Sequence, residues 1–215
     1  HTVIEIGPGK GILTKQIASI AKRVYAFEID LELKEILNNV CIEYNNVNIV
    51  FNDIMKIDLA KFVAENCPKD KIAVIANLPY YITTPIIEKM IESPLNVKAM
   101  VLMVQNEVAD RLSAKCGSKE YGAISVYLNY YYKVEKLFFV SRKAFDPVPK
   151  VDSAVIKLEK KEKELELINK DKFIRLVRDS FMMKRKNLRN NLRNYDLDKI
   201  NNVLGQILLA KRMNK

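Results

Sequence analysis

Glu5-Ile-Gly-Pro-Gly-Lys-Gly11 places three glycines at alternate positions, behind an acidic residue and the apolar run formed by residues 2–6. Glycine lets a backbone approach a ligand closely and take conformations closed to other residues. The GxGxG spacing is one residue shorter than the GxGxxG dinucleotide fingerprint, so a cofactor without phosphates matches it better than a diphosphate does. Alone, the segment is equally a turn from strand to helix. Two carboxylates add weight to the ligand reading. Glu28 ends the next strand-like run, about 20 residues on, where nucleoside-binding sheets set a carboxylate on ribose hydroxyls. Asp53 ends a third run, placed to accept a hydrogen bond from an adenine amino group. Either acid alone could be a helix N-cap or a surface charge. Three such strand ends in chain order point to one nucleoside pocket on one sheet edge.

The sharpest signal is Asn77-Leu-Pro-Tyr80, again at a strand end. Pro79 fixes its own φ and restricts Leu78. The Asn77 amide oxygen and the Leu78 carbonyl can then converge as two acceptors for one exocyclic NH2. That pair would hold an amine and turn its lone pair toward an incoming methyl group, while Tyr80 offers a flat face for a base. The competing reading is an apolar turn that happens to contain an asparagine.

The elements that must position these residues follow from hydrophobic periodicity. Residues 2–6 are expected as a buried parallel strand and residues 12–22 as an amphipathic helix with Leu13, Ile17 and Ile20 on its apolar face. Strands are expected over 23–28, 47–51, 71–76 and 97–104, and a second helix over 31–40. A last strand is expected over 151–159, followed by the charged connector 160–165 and a purely helical remainder from Asp171. This βαβ rhythm predicts an α/β fold with a doubly wound sheet, its ligands at the carboxyl ends of the strands. In the helical remainder, Phe173, Leu176, Val177, Leu188 and Leu192 are expected to face a core. Arg185, Arg189 and Arg193 recur at helical spacing, flanked by Lys184 and Lys186, and are expected to share another face suited to phosphates. Lys10, Lys143 and Lys150 could extend that basic surface around the pocket mouth.

Composition narrows the chemistry. Cys41, Cys67 and Cys116 lie far apart without a CxxC spacing, which suggests neither a disulfide framework nor a zinc site and fits reduced thiols in a cytoplasmic protein. His1 is the only histidine, so Ser-His-Asp hydrolysis and His-ligated metals are unlikely mechanisms and no metal is expected. Thirty-six Lys+Arg against 26 Asp+Glu give a formal charge of +10, which suits a polyanionic partner. No apolar run reaches the roughly 18 residues of a membrane helix, so no membrane partner is expected. A domain rarely begins on a core strand, so residues upstream of His1 are expected.

Taken together, Glu5-Ile-Gly-Pro-Gly9, Glu28-Ile-Asp30, Asn77-Leu-Pro-Tyr80 and Phe145-Asp-Pro-Val-Pro-Lys-Val-Asp-Ser153 resemble the KsgA-type small-subunit ribosomal RNA adenine N6,N6-dimethyltransferases. The segments starting at Gln105, Tyr121 and Arg185 are similar to further blocks of that family, so the likeness spans nearly the whole chain. The resemblance implies a Rossmann-like S-adenosylmethionine methyltransferase domain over residues 1–160, with a reversed last strand, and a helical ribosome-contacting domain over 165–215. It puts Gly7 and Gly9 along the cofactor, Glu28 on its ribose, Asp53 at its adenine and Asn77 between cofactor and target amine. Tyr80 and Phe145 would hold the target adenine, with the Leu78 carbonyl as a second acceptor. A cytoplasmic monomer acting on rRNA in the small subunit or its precursor is the implied biology. Relatives carry an upstream Gln-Asn-Phe-Leu segment that nothing here matches, and the C-terminus looks shorter than the family pattern. Alternatives are a large-subunit adenine methyltransferase of the macrolide-resistance type, a non-catalytic assembly factor on the same fold, and, more distantly, an NAD enzyme.

Overall fold

The computed structural model describes all residues except 94, 96, 163–165, 184 and 214–215; for 207–213 it describes the backbone alone. Strand β1 (Thr2–Ile6) is buried at all five positions because it is an interior strand of the sheet, paired in parallel with β2 (Arg23–Glu28) and β4 (Ile72–Asn77). A strand covered on both faces can carry apolar residues continuously, which is why Thr2–Ile6 shows no alternation. Strand β3 (Val47–Phe51) adds in parallel beyond β2, and β5 (Val97–Gln105) beyond β4. The edge is completed by β7 (Ser153–Lys160), antiparallel to β5, and by β6 (Tyr132–Val140), antiparallel to β7. Among the described residues the order is β3-β2-β1-β4-β5-β7-β6. This is the Rossmann-like methyltransferase sheet expected from the sequence, with the reversed strand inserted between β5 and β6. Its order changes direction between β1 and β4, the switch point where open α/β sheets bind ligands.

Helices cover the two faces. Helices α1 (Ile12–Ala18) and α2 (Lys34–Glu43) lie on one side, where Ile17, Ala18 and Val40 pack on Val3, Val24 and Val47. The other face carries the larger core, where Leu59 and Val63 of α3 (Leu59–Asn66), Ile86, Ile87 and Met90 of α4 (Thr83–Glu92), Ala109 of α5 (Asn106–Leu112) and Leu128 of α6 (Ala123–Tyr131) cluster with strand residues such as Ile4, Met100 and Ile156. Helices α7 (Lys170–Ser180), α8 (Leu188–Asn191) and α9 (Leu197–Met213) follow the sheet. No helix among the described residues is long and apolar enough to cross a membrane.

Two helical expectations need correction. The first helix stops at Ala18, and its buried stripe is Thr14, Ile17 and Ala18; Leu13 is partly exposed and Ile20 almost fully so. Ile20 lies past the helix end, so periodicity extended through it assigned a core face to a turn residue. The helical remainder is not one continuous helix. Asn187 caps α8 by accepting from Asn190 N, and the buried Asn191 side chain accepts from Met183 N at 2.8 Å and donates to the Met183, Lys186 and Asn187 carbonyls. These bonds hold the Met183, Lys186 and Asn187 backbone around Asn191 and break the helical register that Arg185, Arg189 and Arg193 would need to share one face. Of the expected apolar stripe, Leu192 is buried, whereas Leu176 and Leu188 are partly exposed.

Candidate active site

The glycine loop leaves the sheet between β1 and β2. Gly7 N donates to Phe27 O at 3.0 Å and Gly11 N to Pro8 O at 2.9 Å, closing a turn in which Gly7, Gly9 and Gly11 have φ of 70°, 57° and 78°. At Gly11 the demand is packing as well as conformation, since a Cβ there would lie 2.8 Å from Val40 Cγ2 on α2. At Gly9 the opposite holds: nothing lies within 4 Å of where a Cβ would sit, so this part of the loop faces open space. The Cβ position of Gly7 looks at the Asn77 carbonyl, 3.9 Å away, because β1 and β4 are neighbours.

Two carboxylates lie beneath this loop in different states. Glu28, at the end of β2, is almost wholly buried, and its Oε1 accepts from Ile29 N (2.8 Å) and Asp30 N (3.0 Å) while Oε2 accepts from Gly9 N (3.2 Å). Backbone N–H groups thus fix its orientation and join β2 to the glycine loop, and Oε2, which accepts only one of them, keeps a lone pair for a hydroxyl donor. Glu5, two residues before Gly7, is only 1% exposed, and its Oε2 has no hydrogen-bond partner. Its carboxyl is pushed up to about 7, chiefly by burial; the nearby Thr14 hydroxyl offsets part of that rise and the Glu28 charge adds to it. An orphaned buried carboxyl beside a second carboxylate is a poor setting for a diphosphate and a good one for a cationic nucleoside. S-adenosylmethionine, which carries a sulfonium and an ammonium but no phosphate, fits this donor and acceptor set. Glu5 was visible in the sequence only as part of the glycine motif; its missing partner depends on residues distant in the chain.

Asp53 is half-buried after β3, and its Oδ1 accepts from Met55 N at 2.9 Å, so part of its role is to shape its own turn. That turn is tied across the site, since Lys89 Nζ on α4 donates to Met55 O at 3.0 Å. Helix α4 begins three residues after Tyr80, so Lys89 links the Asp53 turn to the helix that follows Asn77-Leu-Pro-Tyr80.

Asn77 closes β4 with its side chain exposed and without a hydrogen bond among the described residues. Leu78 is buried, and its N–H donates to Met103 O at 3.2 Å, which pins the turn to β5. Pro79 O accepts from Ile82 N at 3.2 Å and starts the entry to α4. The Tyr80 hydroxyl shares a hydrogen bond of 2.9 Å with Ser153 Oγ, the first residue of β7. Phe145 lies in the loop between β6 and β7, half-buried, at the same sheet edge. Arg142 N donates to the Asp152 carboxylate at 2.9 Å across the base of that loop. The structure therefore brings Gly7, Gly9, Glu28, Asp53, Asn77, Leu78, Tyr80 and Phe145 to one edge of one sheet. Ser153 and Lys89 join them without having been singled out in the sequence.

The proposed RNA contacts lie elsewhere. Arg185, Lys186, Arg189 and Arg193 are all exposed, on the turn before α8, on α8 itself and after it, rather than on one helical stripe. Lys184 lies outside the described residues. Lys10, Lys143 and Lys150 are exposed, the first on the glycine loop and the other two on the β6–β7 loop.

Comparison with known proteins agrees with this geometry. The family model for ribosomal RNA adenine dimethylase matches residues 1–215. Ribosomal RNA small subunit methyltransferase A of Anoxybacillus flavithermus is 48% identical over 194 residues, covering 89% of this chain and 66% of that protein. Its namesake in Lysinibacillus sphaericus is 47% identical over 191 residues, covering 88% and 65%. The chain thus spans about two thirds of the length of these curated relatives. Among solved structures, a dimethyladenosine transferase from Plasmodium falciparum superposes with a TM-score of 0.76 at 36% identity, covering 89% of this chain and 66% of that one. The 23S rRNA methyltransferase ErmE gives a TM-score of 0.74 at 27% identity, covering 90% and 75%.

Proposed function

We propose, given that the chain belongs to the ribosomal RNA adenine dimethylase family, that it transfers methyl groups from S-adenosylmethionine to N6 of adjacent adenines near the 3′ end of small-subunit rRNA, twice to each adenine, in support of ribosome biogenesis. The observation that carries this reading is the meeting of the glycine loop and an exposed, unpaired Asn77 across the β1–β4 switch point, with Gly7 facing the Asn77 carbonyl at 3.9 Å. When bound, S-adenosylmethionine supplies an electrophilic methyl group on its sulfonium. Gly7 and Gly9 would line its site, Glu28 would hold its ribose and Asp53 its adenine amino group.

The chain's own residues then act on the acceptor. Neutral adenine N6 is a poor nucleophile because its lone pair is delocalised into the ring. The Asn77 amide oxygen and the Leu78 carbonyl accept from the two N–H bonds and turn the lone pair out of conjugation. Tyr80 and Phe145 stack on a base that has left its helix, a step whose cost stacking repays by about 1–3 kcal/mol per base. Positioning of this kind, rather than a general base, supplies most of the acceleration. After transfer the amine is strongly acidic, and water takes its proton. For the second methyl, the monomethylated amine still has one N–H to offer Asn77. The protein works as a cytoplasmic monomer on the small subunit or its precursor, with residues 1–160 as the catalytic domain. Residues 165–215 form a helical domain whose Lys184, Arg185, Lys186, Arg189 and Arg193 meet phosphates.

The test incubates the full-length protein with labelled S-adenosylmethionine and small ribosomal subunits lacking the modification, then maps the methylated adenines. Dimethyladenine near the 3′ end of the small-subunit rRNA is expected. Transfer only to large-subunit RNA would move the chain to the resistance-type enzymes. Binding of RNA without transfer to either would make it an assembly factor.

A further inference from the structure

The edge strand β6 carries a feature that the reaction does not use. Because β7 is antiparallel to β5 and β6 is antiparallel to β7, β6 runs parallel to β5 and ends at the same sheet edge as Asn77. Its last turns of chain carry two consecutive aromatics, Phe138 and Phe139, which are 58% and 56% exposed. A register shift between Lys136 and Phe138 marks a bulge, a device that re-aims side chains beside binding sites. Beyond it Phe138 stands opposite Val155 and Phe139 opposite the buried Ala154, so the two rings flank the strand on its two faces. The loop that follows carries three cations, Arg142, Lys143 and Lys150, against two carboxylates, Asp146 and Asp152; the three cations are exposed, and among the described residues none of them is in an ion pair. The rim is continuous with the acceptor site, since β7 starts at Ser153, which pairs with Val140 and hydrogen-bonds Tyr80.

Exposed aromatics beside unpaired cations are what a single-stranded polynucleotide needs: flat faces for bases and positive charge for the backbone. A protein partner or a second copy adding to the edge strand would gain from the apolar rings but not from the exposed Arg142, Lys143 and Lys150 on a chain of net charge +10. We propose that Phe138 and Phe139 form a stacking rim for unpaired RNA nucleotides flanking the target adenine, with Arg142, Lys143 and Lys150 on their phosphates. This rests on the RNA methyltransferase reading and names where its substrate leaves the pocket.

The test replaces each phenylalanine by tyrosine and by leucine in the full-length protein and measures binding to unmethylated small subunits at fixed salt. Methyl transfer, S-adenosylmethionine affinity and sedimentation are recorded alongside. Both positions are exposed, so all four variants should fold. Tyrosine keeps a stacking face and leucine keeps only apolar bulk. Stacking predicts that F138Y and F139Y bind as the parent does, while F138L and F139L each lose about fivefold to a hundredfold, with cofactor affinity unchanged. Leucine variants that bind subunits as the parent does would overturn the proposal while leaving the methyltransferase reading intact. So would a parent protein that sediments as a dimer and is split by F138L or F139L. A parent protein that neither binds subunits nor methylates them would overturn both.

Discussion

The two halves of the sheet's carboxyl edge are built in opposite ways. On the β1–β2–β3 half, the carboxylates already have backbone partners: three N–H groups hold the buried Glu28, and the half-buried Asp53 accepts from Met55 N. On the β4–β5–β7–β6 half, Asn77 is exposed without a partner, Tyr80 and Phe145 are half-buried, and Phe138 and Phe139 stand in solvent. A small cofactor must be held the same way in every cycle, so its half is pre-organised. On the proposed reading, a nucleotide swung out of RNA would enter and leave through the second half, which keeps Asn77 unpaired and the Phe138 and Phe139 rings bare. Glu5 is the exception on the first half, a buried carboxyl whose Oε2 lacks a hydrogen-bond partner.

The largest effect should come from the open half. Asn77→Ala should slow methyl transfer by about a hundredfold to a thousandfold, as expected when a preorganised hydrogen-bonding group at the reacting centre is lost. Single-turnover transfer to small subunits measures it, and a drop smaller than tenfold would mean that Asn77 does not orient the amine.

Next is the cost of Glu5. Its carboxyl is raised from 4.5 to about 7 in the folded chain, so between those values the folded state holds a proton that the unfolded state has lost. Stability should therefore fall as pH rises from about 4.5 to 7 and be flat above, by up to about 3 kcal/mol. Glu5→Gln should abolish this slope and leave the ligand-free protein more stable than the parent at pH 8. Urea unfolding at pH 5 and pH 8 tests this, and parallel pH profiles for parent and variant would contradict it. The smallest effect concerns the tie between halves. Lys89→Met should raise the S-adenosylmethionine KM by about fivefold, the worth of one hydrogen bond to a charged group partly exposed to water, with kcat nearly unchanged and Lys89→Arg close to the parent. An unchanged KM would show that the Met55 carbonyl contact does not position the Asp53 turn.

Much of this edge was legible in the sequence because its signals are local. Arg23–Glu28 and Val47–Phe51 form strands over the expected residues, since short β-branched and aromatic runs bounded by polar turns leave little choice. The acids and amide at their ends follow from where the strands stop. What was not legible depends on distant partners. The burial of Glu5, its unpartnered Oε2 and the opposing effects of Thr14 and Glu28 on its carboxyl come from residues that only the fold brings together. The basic residues around α8 left their expected stripe because the buried Asn191 side chain takes up four backbone groups, and these bonds outweigh helical periodicity. The rim on β6 depends on a bulge set by pairing with β7.

The division of the edge is tested most directly by titrating S-adenosylmethionine into Glu28→Ala and Asn77→Ala and following transfer on the same preparations. Glu28→Ala should lose about tenfold to a hundredfold in cofactor affinity, as for lost hydrogen bonds to a charged group, and recover most of its transfer rate at saturating cofactor. Asn77→Ala should bind cofactor within about tenfold of the parent, one factor of ten being about 1.4 kcal/mol, and stay slow however much is added. Equal loss of affinity in both variants, or transfer by Asn77→Ala restored at saturation, would contradict it.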